Sequence, residues 1–244
     1  MRQRKAKNME ERLQACSEYM IQPEVKYANI SSFNKVWDEE DGNNGNALVP
    51  DKKYFDDDKE LYLEIGCGKG NFIIKKAIAN PDKNFLAIEG QETVILRALE
   101  KVKELADKAD AGQEGGVHLS NLKFMMNFVH SMDDLFEEDQ LSGIYLNFSD
   151  PWPKARHAKR RLTYRERLHD YAWALKKGGF VEFKTDNDGL YDSALEEIEA
   201  TGYEITEQTR DLHNSEFESR LTTTEYEDRF RERGKNINYV KIVV

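Results

Sequence analysis

Residues 61–70 read Leu-Tyr-Leu-Glu-Ile-Gly-Cys-Gly-Lys-Gly. A short apolar run ends at Ile65, glycines then alternate with other residues, and Asn71–Ala79 has the composition of a helix. The stretch predicts a buried strand, a tight turn and a helix, with a backbone that lets a ligand come close because glycine lacks a Cβ. Outward from this point the same alternation repeats. Strands are predicted at Phe85–Ile88, Leu122–Phe128, Ile144–Phe148, Phe180–Thr185, Tyr203–Gln208 and Asn238–Val244, and helices at Glu92–Lys108, Tyr164–Leu175 and about Gly189–Ala200. Alternating strands and helices give an α/β fold with a mostly parallel, seven-stranded sheet and helices on both faces. Ligands of such sheets bind at the carboxyl ends of the strands, and each distinctive motif in this chain follows a strand.

The chain has 244 residues, enough for one α/β domain plus an extension. We expect residues 1–50 to be a partly mobile N-terminal extension, with Tyr19, Ile21, Phe33 and Trp37 available to dock, and residues 51–244 to form the main domain. The Asp-, Asn- and Gly-rich stretch Asp38–Asp58 reads as a linker. Two cysteines, Cys16 and Cys67, exclude a disulfide framework or a Cys-rich zinc site and fit a reducing cytoplasm. No apolar run approaches the roughly 20 residues that span a bilayer, and none follows the basic Met1–Lys7, so neither a membrane span nor a signal peptide is expected. His118, His130, His157, His169 and His213 lack metal-ligand spacing, and no metal is expected.

A net charge of −10 speaks against a nucleic-acid partner until its distribution is read. Between Lys154 and Arg167 the chain holds seven Lys or Arg and a single acid, Glu166. Phosphate contacts are local, since exposed charges are screened beyond about 10 Å. Such an island can grip RNA even on an acidic protein. Lys154, Arg156, Lys159, Arg160, Arg161, Arg165 and Arg167 are candidate phosphate contacts; Arg2, Arg4, Lys5 and Lys7 form a shorter basic run.

The glycine spacing is G-x-G-x-G rather than the G-x-G-x-x-G of a dinucleotide loop. Gly66, Gly68 and Gly70 preceded by Glu64 resemble the first motif of class I S-adenosylmethionine methyltransferases, whose cofactor carries no phosphate and offers a cation to the acid. Glu89, at the end of the next strand, can accept from ribose hydroxyls. Asn127 ends the third strand where adenine would lie, and Phe128 could stack there instead. After the fourth strand comes Asn147-Phe148-Ser149-Asp150-Pro151-Trp152-Pro153-Lys154. Two prolines within three residues make a rigid turn that presents Asp150 and Trp152. Asp186 ends the fifth strand, so a second carboxylate can share the cleft.

Together GCGKG, LNFSDPWPK, RHAKRRLTY, FKTDN and TTTEYEDRFRERG, in that order over residues 61–244, resemble the bacterial tRNA (guanine-N7)-methyltransferase family. The resemblance implies a Rossmann-like class I methyltransferase fold with an antiparallel C-terminal strand, S-adenosylmethionine as cofactor, and a variable-loop guanine of tRNA as methyl acceptor. It implies cofactor contacts at Glu64, Glu89 and Asp150, and tRNA contacts at Lys154, Asp186 and Thr224-Glu225-Tyr226-Glu227. Asp150 would be catalytic, fixing the guanine through its N1–H and N2–H₂ donors or balancing charge on the methylated base. No obligatory protein partner is expected, and monomer and homodimer both stay open. Three rivals remain: a methyltransferase for a protein or small molecule, a non-catalytic RNA binder, and a nicotinamide dehydrogenase. The basic island, the intact Glu64–Gly70–Glu89 set and the glycine spacing disfavour them in turn.

Overall fold

The computed structural model describes residues 7–21, 52–217, 222–224, 227 and 235–244. The first strand, β1 (Leu61–Ile65), is buried at all of its positions, as a parallel strand covered on both faces must be. Its side chains alternate: Leu61, Leu63 and Ile65 enter one core, while Tyr62 enters the other, on the Glu64 side. There follow α2 (Asn71–Ala79), β2 (Asn84–Ile88), α3 (Glu92–Asp110), β3 (Leu122–Met125), β4 (Leu141–Asn147), α4 (Arg165–Ala174), β5 (Leu175–Thr185), α5 (Asp188–Thr201), β6 (Glu204–Thr209) and β7 (Asn238–Val243). Ahead of β1 lies a short helix, α1 (Met9–Gln14).

The seven strands are ordered β3-β2-β1-β4-β5-β7-β6. Strands β1 to β5 pair in parallel, and β7 runs antiparallel to both β5 and β6. Helices α2 and α3 pack through Phe72, Ile73, Ile95, Leu99 and Val102 on one face. Leu168 and Tyr171 of α4, with Leu190, Tyr191 and Ile198 of α5, cover the other. This is the mostly parallel α/β sheet expected from the alternation, with the Rossmann-like form and antiparallel late strand that the family resemblance implies. Between β1 and β4 the strand order reverses, which opens a crevice at their carboxyl ends.

Strand boundaries differ in informative ways. β3 stops at Met125, three residues short of the predicted end, which puts Asn127 and Phe128 outside the ladder and on the crevice wall. β5 begins at Leu175, because that leucine is buried opposite Leu141 although Lys176–Gly179 reads as a turn. Residues 7–21 lie on the domain: the Ile21 N–H donates to the Phe124 carbonyl at 2.8 Å, Arg12 pairs with Glu100 of α3 at 2.5 Å, and Tyr19 and Ile21 pack against the cores. Phe33, Trp37, the basic residues Arg2, Arg4 and Lys5, and the expected boundary at residue 50 lie outside the described residues. Among those described, no helix is long and apolar enough to cross a membrane.

Candidate active site

The crevice holds a cleft of about 550 Å³ whose walls include Gly66, Glu89, Gly90, Asn127, Phe128, Asn147, Asp150, Trp152, Arg160 and Arg167. Its floor is the turn after β1. The N–H groups of Gly66 and Cys67 both donate to the Ile88 carbonyl, at 2.8 and 3.0 Å, which ties the turn to β2. Gly66 and Gly68 sit at φ +76° and +59°, with open space where a Cβ would stand. Gly70 shares that left-handed conformation at φ +74° and answers a further need: a Cβ there would come within 2.7 Å of the Ala98 Cβ, so glycine lets α2 approach α3. Glu89 closes the turn from the side, accepting from the Gly68 N–H at 3.0 Å and the Gln91 N–H at 2.9 Å. Burial raises its carboxyl above the usual range, and the Gln91 and Gly68 N–H groups act against that. A carboxylate so held keeps acceptor capacity for a ligand hydroxyl.

Glu64 lies under this turn with 2% of its surface exposed. One oxygen accepts from the Asn147 side-chain amide of β4 at 2.9 Å; the other, Oε2, is buried with no hydrogen-bond partner among the described residues. Burial pushes its carboxyl up to about 7, opposed by the Asn147 bond, the Lys184 ammonium and the Ile73 N–H and reinforced by the nearby Glu89; no donor among the described residues comes within hydrogen-bonding geometry of Oε2. A buried carboxylate oxygen without a donor is costly, and a ligand ammonium or sulfonium brought to it would repair the deficit. The residues present therefore fit a cationic, phosphate-free nucleoside cofactor. At the far wall the Asn127 side-chain oxygen accepts from the Phe128 N–H at 2.8 Å. The Phe128 ring lies where a Cβ on Gly90 would stand. Both line the cleft, with the aromatic face supplying a flat slot.

The opposite rim is the turn that follows β4. Phe148 and Trp152 take left-handed conformations, φ 52° and 41°, each a strain of about 1–3 kcal/mol for a non-glycine residue. Asp150 stands between them, exposed and on the cleft wall. The Trp152 indole packs edge-on to His157 with 5.8 Å between ring centroids. The Arg160 guanidinium lies 5.0 Å from the centre of its ring, a cation–π stack. Ala155–Arg160 forms a short 3₁₀ helix that carries part of the basic island around the rim.

Comparison with known proteins agrees with this geometry. A family model described as a putative methyltransferase matches residues 58–240. The tRNA (guanine-N(7)-)-methyltransferase of Mesoplasma florum is 46% identical over 204 residues, 83% of this chain and 86% of its own. That of Lachnoclostridium phytofermentans is 43% identical, over 75% of this chain and 80% of its own. The chain belongs to the tRNA (guanine-N(7)-)-methyltransferase family. Solved structures share the family's fold at low identity. An antibiotic-related methyltransferase superposes with a TM-score of 0.53 at 16% identity, covering 80% of this chain and 98% of its own. The 16S rRNA methyltransferase KamB gives 0.52 at 15%, covering 78% and 93%.

Set in this family frame, the residues singled out in the sequence fall into three groups. Gly66, Glu89, Asn127, Asp150, Arg160 and Arg167 share the cleft, with Glu64, Gly68 and Gly70 beneath or beside it. Lys154 and Arg156 are exposed on the rim, and Asp186 pairs with Lys235 at 2.9 Å. The third group is spent internally. Arg165 pairs with Glu197 at 2.6 Å, and Arg161 bonds the rim turn itself. Glu227 turns inward, with 1% exposure. Its carboxylate accepts from the Thr224 N–H at 3.0 Å while the Thr224 hydroxyl accepts from the Glu227 N–H at 2.9 Å, a capping box. It also meets the buried Lys184 ammonium at 3.2 Å. Glu225 and Tyr226 lie outside the described residues. Sequence reading missed Asn147 and Lys184. A polar side chain within an apolar strand marks both positions, but nothing local names their partners.

Proposed function

We propose that this protein transfers a methyl group from S-adenosylmethionine to N7 of a guanine in tRNA, with the variable-loop guanine as target. The observation that carries the reading is the shared cleft. Gly66 and Glu89 lie at one end, with the partnerless oxygen of Glu64 buried behind the turn, and Asp150 with the Arg160–Trp152 stack lies at the other. When bound, the cofactor supplies an electrophilic methyl group on a positively charged sulfur. Glu64 receives its cationic end, Glu89 its ribose hydroxyls, and Asn127 and Phe128 border its adenine. Guanine N7 carries a free lone pair, so the chain needs no general base to make the nucleophile. Its task is orientation: Asp150 accepts from the guanine N1–H and N2–H₂, and Trp152 backs the base.

Arg160, Arg156 and Lys154 hold phosphates around that base, contacts that position the RNA rather than read its sequence. Asp186 completes the RNA-facing side, while Thr224 and Glu227 are spent in the buried capping box. Reaching the cleft requires local opening of the tRNA around the target. Residues 51–244 form the catalytic unit and residues 1–50 an extension; tRNA as substrate places the reaction in the cytoplasm, without an obligatory protein partner. The test is transfer of labelled methyl from S-adenosylmethionine to unmodified tRNA, followed by nucleoside analysis. We expect label in 7-methylguanosine, lost when the variable-loop guanine is replaced. Label in another nucleoside reassigns the base pocket, and label only in protein or small molecules rejects RNA as the substrate.

A further inference from the structure

Arg160 and Arg161 are sequence neighbours in a basic run, and charge alone would give both the same task. Their surroundings differ. Arg160 lies over the indole of Trp152 on the cleft wall. Arg161 reaches underneath the same turn: its Nε donates to the Pro151 carbonyl at 3.2 Å, Nη2 to the Trp152 carbonyl at 3.1 Å, and Nη1 to the Ser193 hydroxyl of α5 at 2.6 Å. We propose that Arg161 is a positioning residue for methyl transfer, fixing the turn that presents Asp150, and that it makes no contact with RNA phosphate. This inference rests on the reading of the cleft given above.

The physical need is specific to this turn. Pro151 and Pro153 carry no N–H, so the backbone here has few donors of its own, while its carbonyls still require partners. Trp152 is held at φ 41°, a conformation that persists only where surrounding contacts over-determine it. A planar guanidinium offers several fixed donors at once and matches two successive carbonyls in a way an ammonium cannot. Ser193 in turn anchors the guanidinium to α5, whose Leu190, Tyr191, Ala194 and Ile198 are buried in the core. Asp150 is covalently joined to Pro151, so tying down the Pro151 and Trp152 carbonyls limits the movement of the backbone that carries Asp150. The rigidity of the core thereby reaches a side chain that is itself exposed.

The test uses the full chain with Arg161→Lys, Arg161→Met and Ser193→Ala, measuring kcat and KM for unmodified tRNA, the salt dependence of tRNA binding, and the melting temperature. Lysine keeps the charge and loses the fork, so it separates the two roles. Positioning predicts that both Arg161 variants lose kcat by roughly 10- to 100-fold, with KM for tRNA within about twofold and an unchanged salt slope. A phosphate contact predicts instead that Arg161→Lys behaves as wild type and that Arg161→Met lowers the slope by about one; that result overturns the proposal. Should the Arg161 variants melt below the assay temperature, Ser193→Ala decides. A several-fold fall in kcat at unchanged salt slope supports the proposal, and an unchanged kcat overturns it. A wild-type chain that labels no tRNA overturns the reading of the cleft and this inference with it. Labelled wild type beside variants of unchanged kcat overturns the inference alone.

Discussion

At the β1–β2 end of the cleft, Glu64, the glycine turn and Glu89 lie close together in sequence, and backbone N–H groups fix most of them. At the β4–β5 end, Asp150 and its neighbours stand on a turn with two left-handed non-glycine residues, Phe148 and Trp152. A side chain from far along the chain holds that end, Ser193 through Arg161, while the buried Lys184–Glu227 pair lies toward α2, its ammonium 5.8 Å from the centre of the Phe72 ring. The first end resembles a moulded socket, the second a set of braces. A small cofactor of fixed shape suits a socket defined by main chain, whereas a folded RNA must be met by an exposed rim that needs outside support. If this contrast is right, changes at the two ends should fail in different ways.

Asp150→Ala should give the largest effect, a loss of about 10³-fold in kcat, while S-adenosylmethionine affinity measured by calorimetry falls less than about tenfold. Equal losses in both would make Asp150 part of the socket. Next is the buried pair. Lys184→Met leaves the Glu227 carboxylate buried without its cation, and one-sided removal of a buried pair costs about 3 kcal/mol or more. Denaturant unfolding should show that loss. Retained stability would mean that the pair does not hold the late segment to the sheet.

The smallest effect is a pH dependence at the socket. Burial raises Glu64 from its ordinary 4.5 to about 7. Its share of folding stability is therefore complete below 4.5 and is lost as pH rises through about 7. Cofactor binding runs the other way, because the cation needs the ionised acid. Affinity should climb with pH up to about 7, by at most about tenfold per unit, and Glu64→Gln should flatten the profile. A flat wild-type profile would remove Glu64 from the cation.

The same contrast explains what could be read from the sequence. The strand–turn–helix at Leu61–Ala79, the acid at Glu89 and the Pro-Trp-Pro turn are local patterns, and local patterns survive in one dimension. The sheet also followed, because alternating elements leave little choice of layers. Lost to inspection were the partners of Arg161, Lys184 and Glu227. A basic run looks uniform until the fold turns one arginine under a turn and another over an indole, and a Thr-x-x-Glu spacing can face RNA or cap a helix. The ends of β3 and β5 were misjudged for a related reason: ladder pairing with a neighbour outweighed local propensity at Leu175 and stopped short of Asn127.

The position of β7 also governs the order in which the molecule can assemble. Since β7 lies between β5 and β6, β6 pairs among the described residues with β7 alone. During synthesis, Glu204–Thr209 must wait for Asn238–Val243 to emerge before its hydrogen bonds can close, while β1 to β5 can already pair among themselves. The nascent chain thus carries an unsatisfied edge at β5 during that interval, an edge open to any extended segment nearby. The half that holds the glycine turn is complete first, and the sheet beside the Asp150 rim is the last to close.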